Sequence, residues 1–355
     1  ASNVFGQDIN HRIDPTYSFG FSWRASEEAF FQKHLKWITT LNFRGTFGIQ
    51  GNALTRESPE LILSQNGVQA GYNRYYSTIS QIPNPYLSWE RTKNWNFGVD
   101  LELFHMFYMN LEYYTRRSNA VITVDLPFEY GINDMKRNGG IIYNRGIEYT
   151  LSFTPVQKRD FSLNINLNAS KNWNKGGETT IDRTTGMYLT GSNTQILKEG
   201  YPLSGFWSYS FAGLDGSNGK PMFNYVEVPE EEKSKGIDPT TYLVYSGEKE
   251  PYFTGGLGLS FRYKSLSLNT SFSLLLGSKK RLTSPYNDFR GEHNMMPDPT
   301  KNINRDLLNR WQKTGDEAYT NIPGLPIWPL GIAWTLPTRR PQNHPFICGK
   351  NQMLW

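Results

Sequence analysis

The chain has 355 residues, enough for one large domain or two ordinary ones, and its 37 Lys plus Arg against 32 Asp plus Glu leave a net charge of only +5. The cations are scattered and form no stripe, which excludes a nucleic-acid surface; the single cysteine, Cys348, excludes a disulfide framework and a cysteine-based metal site. Aromatic residues reach 15% while mean hydropathy is −0.57, and no apolar run approaches the ~18 residues of a membrane helix, so many half-polar strands suit the composition better than helices.

The chain opens on ASNVFGQD without a signal peptide and reads as the interior of a longer sequence. Thr16 to Ala25 alternates Tyr17, Phe19, Phe21 and Trp23 against Ser18, Gly20, Ser22 and Arg24, which predicts a strand. Ser26 to Trp37 predicts a short helical turn capped by Ser26. Ile38 to Gln50 returns to strand, with Leu41, Phe43 and Phe47 opposite Asn42, Arg44 and Gly48. Gly51 to Gly71 reads as loop, and Tyr72 to Ile82 as a weakly patterned strand.

From Trp95 the alternation is unbroken. Trp95, Phe97, Val99, Leu101 and Leu103 share one face, and Asn94, Asn96, Gly98, Asp100 and Glu102 the other. After a turn near His105, Phe107, Met109, Leu111 and Tyr113 oppose Tyr108, Asn110, Glu112 and Tyr114. Two such runs so tightly joined predict an antiparallel hairpin. Each is about the ~9–11 residues a tilted strand needs to cross a bilayer. Trp95, Tyr113 and Tyr114 lie near the ends, where membrane barrels carry aromatic girdles.

Ser118 to Gly140 reads as irregular. Arg145 to Pro155 and Asp160 to Trp173 predict a second hairpin, in which Ser162, Asn164, Asn166 and Asn168 alternate with Phe161, Leu163, Ile165 and Leu167. Four small polar residues in strict alternation are costly in a dry core and natural beside a water-filled lumen. Lys175 to Pro202 is a polar segment, Gly205 to Leu214 a further strand, and Val226 to Glu250 charged and loop-like. Leu257 to Leu276, turning at Lys264-Ser265, predicts a third hairpin. A short helix is expected over Ile303 to Trp311, before a Pro-rich end.

Four joints are short: Ser26–Trp37, Phe104–Met106, Pro155–Asp160 and Lys264–Ser265. The connections between them are long. Short periplasmic turns alternating with long extracellular loops mark an outer-membrane barrel, whereas a sandwich spaces its turns evenly, roughly every 8–12 residues. The expected fold is an all-β, antiparallel transmembrane β-barrel.

Several phrases also resemble one family. LSWERT followed by NWNFGVDLELF, with FSWRASEEAF, LNFRGTFGIQGN, LEYYTRRSNAVI, NGGIIYNRGIEYTLSFTPV, FAGLDGSNGKPMF and RWQKTGDE, resembles SusC/RagA-type TonB-linked (TonB-dependent) outer-membrane transporters, in the family's order and over most of Ser18 to Glu317. The resemblance implies that residues 1–325 are part of the β-barrel, about ten strands of a plugged barrel of roughly 22. Residues 326–355 would be an atypical tail, truncated or frame-shifted, and the family's plug and carboxypeptidase-like domains have no counterpart here. It implies outer-membrane import of oligosaccharides or peptides, driven through the TonB-ExbB-ExbD complex and shared with a SusD-like surface lipoprotein. A non-transporting barrel acting as a surface receptor or adhesin is the alternative.

No catalytic constellation, cofactor motif or metal motif is legible. The five histidines, His11, His34, His105, His293 and His344, lie far apart and in no metal spacing. His105 reads as a solvated turn residue. Asp215-Gly-Ser-Asn218-Gly lacks the alternating carboxylates of a calcium loop and reads as a plain turn. Lys136-Arg137 and Lys279-Lys280-Arg281 read as solvated faces or lipopolysaccharide contacts. By the resemblance, Asp100, Glu102, Glu112 and Glu148 line the lumen. Trp173, Tyr188, Tyr201, Trp207 and Tyr209 are candidate stacking surfaces for sugar rings, girdle or loop-core packing being the plainer reading of each.

Overall fold

A computed structural model of the chain describes residues 15–52, 60–69, 71–84, 86–126, 128–132, 134–179, 189–190, 197–224, 239–281, 285, 289–290, 296–297, 300 and 302–324. Its elements run β1 (Tyr17–Arg24), α1 (Ala29–His34), β2 (Ile38–Asn52), β3 (Ile62–Gln69), β4 (Arg74–Gln81), β5 (Glu90–Leu103), β6 (Phe107–Asp125), β7 (Asp134–Gln157) and β8 (Phe161–Thr179). They continue with β9 (Gly205–Tyr209), β10 (Phe211–Leu214), β11 (Pro221–Phe223), β12 (Leu243–Glu248), β13 (Phe253–Tyr263) and β14 (Leu266–Leu276).

Two compact units share these elements: residues 1–183, 195–204 and 250–278 form one, and residues 184–194, 205–249 and 279–355 the other. The first holds an eight-stranded antiparallel sheet in the order β1-β2-β5-β6-β7-β8-β13-β14. About ten wall strands were expected, and eight stand in this sheet among the described residues. Among the described residues the strands β3 and β4 pair only with each other.

Period two decides what each face carries. Trp23, Phe43, Val99, Leu111, Tyr149, Ala169, Gly255 and Leu274 stand in one hydrogen-bonded row across all eight strands. The next row along the chain, on the opposite face, carries Arg24, Asn42, Asp100, Asn110, Thr150, Asn168, Gly256 and Ser273. The apolar face is open: Phe19 is 68% exposed, Phe21 64% and Leu274, at the sheet's last strand, 50%. A sheet that hides no apolar face in protein needs another apolar medium, and hydrocarbon supplies it.

The four short joints lie at one end of the sheet. Between β5 and β6 the chain turns through Phe104 and His105, both at positive φ (53° and 57°), while Met106 N–H donates to the Leu103 carbonyl at 3.0 Å. His105 is exposed there, as expected of a turn residue, and its Nδ1 stands 3.4 Å from Glu102 Oε1. Between β1 and β2 the helix α1 forms, but Ser26 does not cap it. Ser26 lies in a preceding 3-10 turn, Ala25–Glu27, and the N-cap position is Glu28, which makes no side-chain cap.

Five further expectations need correction. Residues 62–69 are strand, not loop, paired with β4 as a separate hairpin. The segment from Ser118 to Gly140 is not irregular: β6 runs to Asp125 and β7 begins at Asp134, paired throughout with one register shift at Ala120/Val121. Strand β8 continues to Thr179, and residues 243–248 form β12. The expected helix over 303–311 is a 3-10 segment, Arg305–Asn309, capped by Asn304, whose side chain accepts from Asp306 N–H.

The second unit has the drier core. Strand β9 pairs with β12 and β10 with β11, around Trp207 at 1% exposure, with Leu189, Phe206, Leu214, Leu243 and Leu307 also buried. Trp311 lies against Gly219, where an added Cβ would meet its ring at 2.3 Å, and its indole N–H donates to Glu317 Oε2 at 3.0 Å. Gly219 has φ of +67°, so glycine is needed there for both backbone and space. The phrases FAGLDGSNGKPMF and RWQKTGDE, far apart in the chain, therefore pack on each other.

Candidate functional site: the polar face of the sheet

The polar face centres on Arg44 of β2. Its register neighbours across β5 and β6 are Gly98 and Glu112. An added Cβ at Gly98 would stand 3.1 Å from an Arg44 terminal nitrogen, so the missing side chain leaves room for the guanidinium to lie across β5. There it donates to Asp100 Oδ1 at 3.1 Å and to Glu112 Oε1 at 2.9 Å. Arg44 Nε stands 2.9 Å from Asp100 Oδ2, close enough for an ion pair though not aligned to donate.

Amides complete the cluster. Asn42 and Asn110 donate to the two Asp100 oxygens at 3.1 and 2.7 Å. Asn96 donates to Glu112 Oε2 at 3.4 Å, and the Thr40 hydroxyl to Glu102 Oε2 at 3.0 Å. One cation thus faces two carboxylates, each further held by amide donors. The arrangement is a hydrated wall with fixed charges, next to an open concavity of about 700 Å³ lined by Gln32, Thr40, Asn42, Arg44 and Asp100. Among the described residues no group of three or more His, Cys, Asp or Glu is placed to hold a metal.

This network has a measurable consequence. Arg44→Leu strips the partner from Asp100 and Glu112, whose side chains are 16% and 25% exposed. Removing one member of a fully buried pair costs about 3–5 kcal/mol. With Arg44 itself 39% exposed, solvent screening reduces that to roughly 1–2 kcal/mol. Urea unfolding of the folded barrel in detergent should show this loss, and Arg44→Leu combined with Asp100→Asn should recover part of it. Strict additivity of the two substitutions would show the pair contributes nothing.

The structure gathers Asp100, Glu102 and Glu112 on this face and sets Glu148 directly opposite Glu112. The aromatic candidates stand in different settings. Trp173 stands on the apolar face opposite Arg145, with the Lys171 ammonium 5.0 Å from its ring centre. Tyr201 is half-buried, its carbonyl accepting from Gly176 N–H at 2.8 Å. Trp207 is core, edge-on to Tyr245 at 5.3 Å, so its ring offers no stacking surface. Tyr209 is half-buried and stacks on Tyr242 at 6.0 Å. Tyr188 lies outside the described residues.

Of two further charged features, Arg281 departs from expectation and Asp215 forms the plain turn expected of it. Arg281 is not solvated: it donates to the Trp207 carbonyl at 2.7 Å and to the Thr190 carbonyl, with its guanidinium 4.8 Å above the Phe206 ring. Burial holds it below the usual guanidinium range. Asp215 accepts from Ser217 N–H at 2.8 Å and from its hydroxyl at 2.7 Å, closing its own turn. These bonds hold its carboxyl below the usual range.

Sequence reading missed Arg44 and the pinning of the LSWERT phrase. Ser88 N–H donates to Asn138 Oδ1 at 2.8 Å, Asn138 returns a bond to the Ser88 carbonyl at 2.9 Å, and Glu90 Oε1 accepts from Val121 N–H at 3.0 Å. The last bond satisfies the backbone where the register of β6 against β7 shifts, one extra residue standing in β7. A lone Arg on the polar side of β2 was the only signal for the first, and nothing local signalled the second.

The TonB-dependent receptors P3 and P26 of Formosa agariphila are each 26% identical to this chain, over 298 and 296 residues, covering 79% of it and 29% of each relative. SusC of Bacteroides thetaiotaomicron is 25% identical over 77% of this chain and 28% of its own length. The chain is thus similar to TonB-dependent receptors of the SusC/RagA type. It spans about three-tenths of the length of these relatives. No family model matches it. Among solved structures, the RagAB peptide importer in its open-open state superposes with a TM-score of 0.70, at 24% identity, over 91% of this chain and 34% of that one. The RagAB peptide transporter gives 0.69 at 23% identity, over 90% and 35%. The eight-stranded sheet therefore has the fold of wall strands of an outer-membrane β-barrel. The relatives are receptors and transporters, not enzymes.

Proposed function

We propose that this chain forms part of the wall of an outer-membrane importer, energised through the TonB-ExbB-ExbD complex and working with a SusD-like surface lipoprotein. The supporting observation is the inequality of the two faces of one sheet. Apolar rows run across all eight strands, and the reverse face carries Arg44, Asp100, Glu102, Glu112 and Glu148 among Asn and Thr side chains. A lipid-facing wall needs the first, and a lumen that holds a plug and passes a hydrophilic solute needs the second. In this reading the short joints are periplasmic, and the connections carrying β3–β4 and β9–β12 are extracellular.

The cargo class is an oligosaccharide or a peptide. The structural neighbours are named for peptide import, which supports the peptide arm. Exposed loop aromatics such as Tyr72, at 74%, suit either cargo. Cells lacking the full-length gene should lose uptake of one fluorescently labelled ladder, oligosaccharide or peptide, and collapse of the proton gradient should abolish the same uptake in the parent strain. Surface binding that survives gradient collapse, with no uptake in either strain, would replace this reading by that of a surface receptor.

A further inference from the structure

The outward face changes character toward the end carrying the long connections. One row there reads Tyr17, Ile49, Lys93, Arg117, Tyr143, Lys175. The next holds Trp95, Arg145 and Trp173, and the one after it Lys171. All five cations are exposed, and no Asp or Glu stands in these rows. Glu90, Glu112 and Glu148, carboxylates at this level, belong to the opposite face. Lys93 and Arg117 are direct cross-strand partners, an arrangement that repels unless an anion lies over it. At the short-joint end the same face holds Phe107, Phe153, Phe161 and Tyr263, and the cation beside them is Lys264 of the β13–β14 turn, 5.4 Å from the Tyr263 ring centre.

We propose that Lys93, Arg117, Arg145, Lys171 and Lys175 bind the phosphorylated headgroup of an outer-leaflet glycolipid. Three things support this occupant. The cations lie just beyond the apolar rows, at the height of Trp95 and Trp173, where acyl chains give way to headgroups. Among the described residues the cations that stand within the strands of this face lie at the end that the long loops mark as extracellular, the leaflet in which the anionic lipid is lipopolysaccharide. They span four strands, roughly 14 Å at the usual strand spacing, so several reach one sugar-phosphate headgroup together. Lys171 is already held over the Trp173 and Tyr252 rings, at 5.0 and 5.9 Å, which leaves its charge at the membrane surface.

This inference rests on the outer-membrane placement of the sheet and not on the identity of any cargo. The test uses the full-length receptor, purified in detergent and titrated with fluorescent lipopolysaccharide or with the same lipid after enzymatic dephosphorylation. Lys93→Gln, Arg117→Gln and Arg145→Gln should each weaken binding by about fivefold, the equivalent of ~1 kcal/mol per cation at an anionic surface. The triple variant should lose on the order of a hundredfold. Dephosphorylated lipid should bind the parent no better than phosphorylated lipid binds the triple variant. A control, Lys158→Gln with Arg159→Gln and Lys264→Gln at the short joints, should bind like the parent. Equal binding by parent and triple variant, or equal binding of both lipids, would overturn the proposal. Heat-modifiable migration shows that each variant is folded, and the single substitutions keep the test readable should the triple variant not assemble.

Discussion

Val99→Arg should sharply lower the yield of folded, membrane-assembled receptor. Val99 stands between Phe43 and Leu111 in the apolar row that crosses the whole sheet. A guanidinium at the bilayer midplane of a barrel wall costs roughly 2–4 kcal/mol, falling to about 0–1 kcal/mol near the interface. Trp95→Arg, four residues along on the same face, is the interfacial comparison. Its ring is 45% exposed and lies 4.4 Å from that of Phe47, so its loss adds only the ~0.5–1.5 kcal/mol of an aromatic pair. Glu148→Arg puts the same charge on the polar face, opposite Glu112, and should assemble normally. Heat-modifiable migration of the three variants reads the order directly. Damage from Trp95→Arg as severe as from Val99→Arg would mean that the hairpin does not lie across lipid as described.

The second large effect lies in the other unit. Trp207→Ala empties the centre of a core in which Trp207 is 1% exposed and Ser208 2%. Large-to-small changes of a buried Trp cost about 3–5 kcal/mol. The substitution also disturbs the strand whose carbonyl accepts from Arg281. The 205–249 segment should become sensitive to trypsin while the wall keeps its heat-modifiable migration. A stacking role for Trp207 predicts the reverse, an unchanged digestion pattern with weakened cargo binding, and that outcome would remove it from the core as described. Tyr209→Ala, at a half-buried pair with Tyr242, should leave the segment resistant.

The sheet was legible where hydrocarbon imposes a rule. From Trp95 to Tyr113 each residue is sorted by the medium its face meets, so alternation survives in the sequence and predicts both strands and their turn. Beyond Arg117 the rule ends. There β6 and β7 rise past the apolar rows, and backbone pairing, the bulge at Ala120/Val121 and the Glu90 bond hold them. With neither face sorted, Ser118 to Gly140 carries no period and reads as loop. Residues 62–69 failed for the same reason, since β3 and β4 expose almost every residue.

The charged centre shows the limit from the other side. Asp100 and Glu112 were placed on the polar face by parity alone. Their union through Arg44 spans 56 and 68 residues of chain and depends on the pairing of β2 with β5, which skips the β3–β4 hairpin. The aromatics divide likewise. Trp173 follows parity to the apolar face, whereas Trp207 sits in a strand too short to show a period and is buried by β12, a segment that reads as charged loop.

The sequence by itself determined which residues share a face within each membrane-spanning hairpin and which joints are tight, because these follow from period two and from local chain reversal. Only the tertiary structure decided which hairpins are neighbours, and so which cation meets which carboxylate. It also decided that residues 205–224, 239–249 and 302–324 build a core of their own. Both depend on contacts between segments far apart in the chain, and no local pattern encodes a partner it does not adjoin.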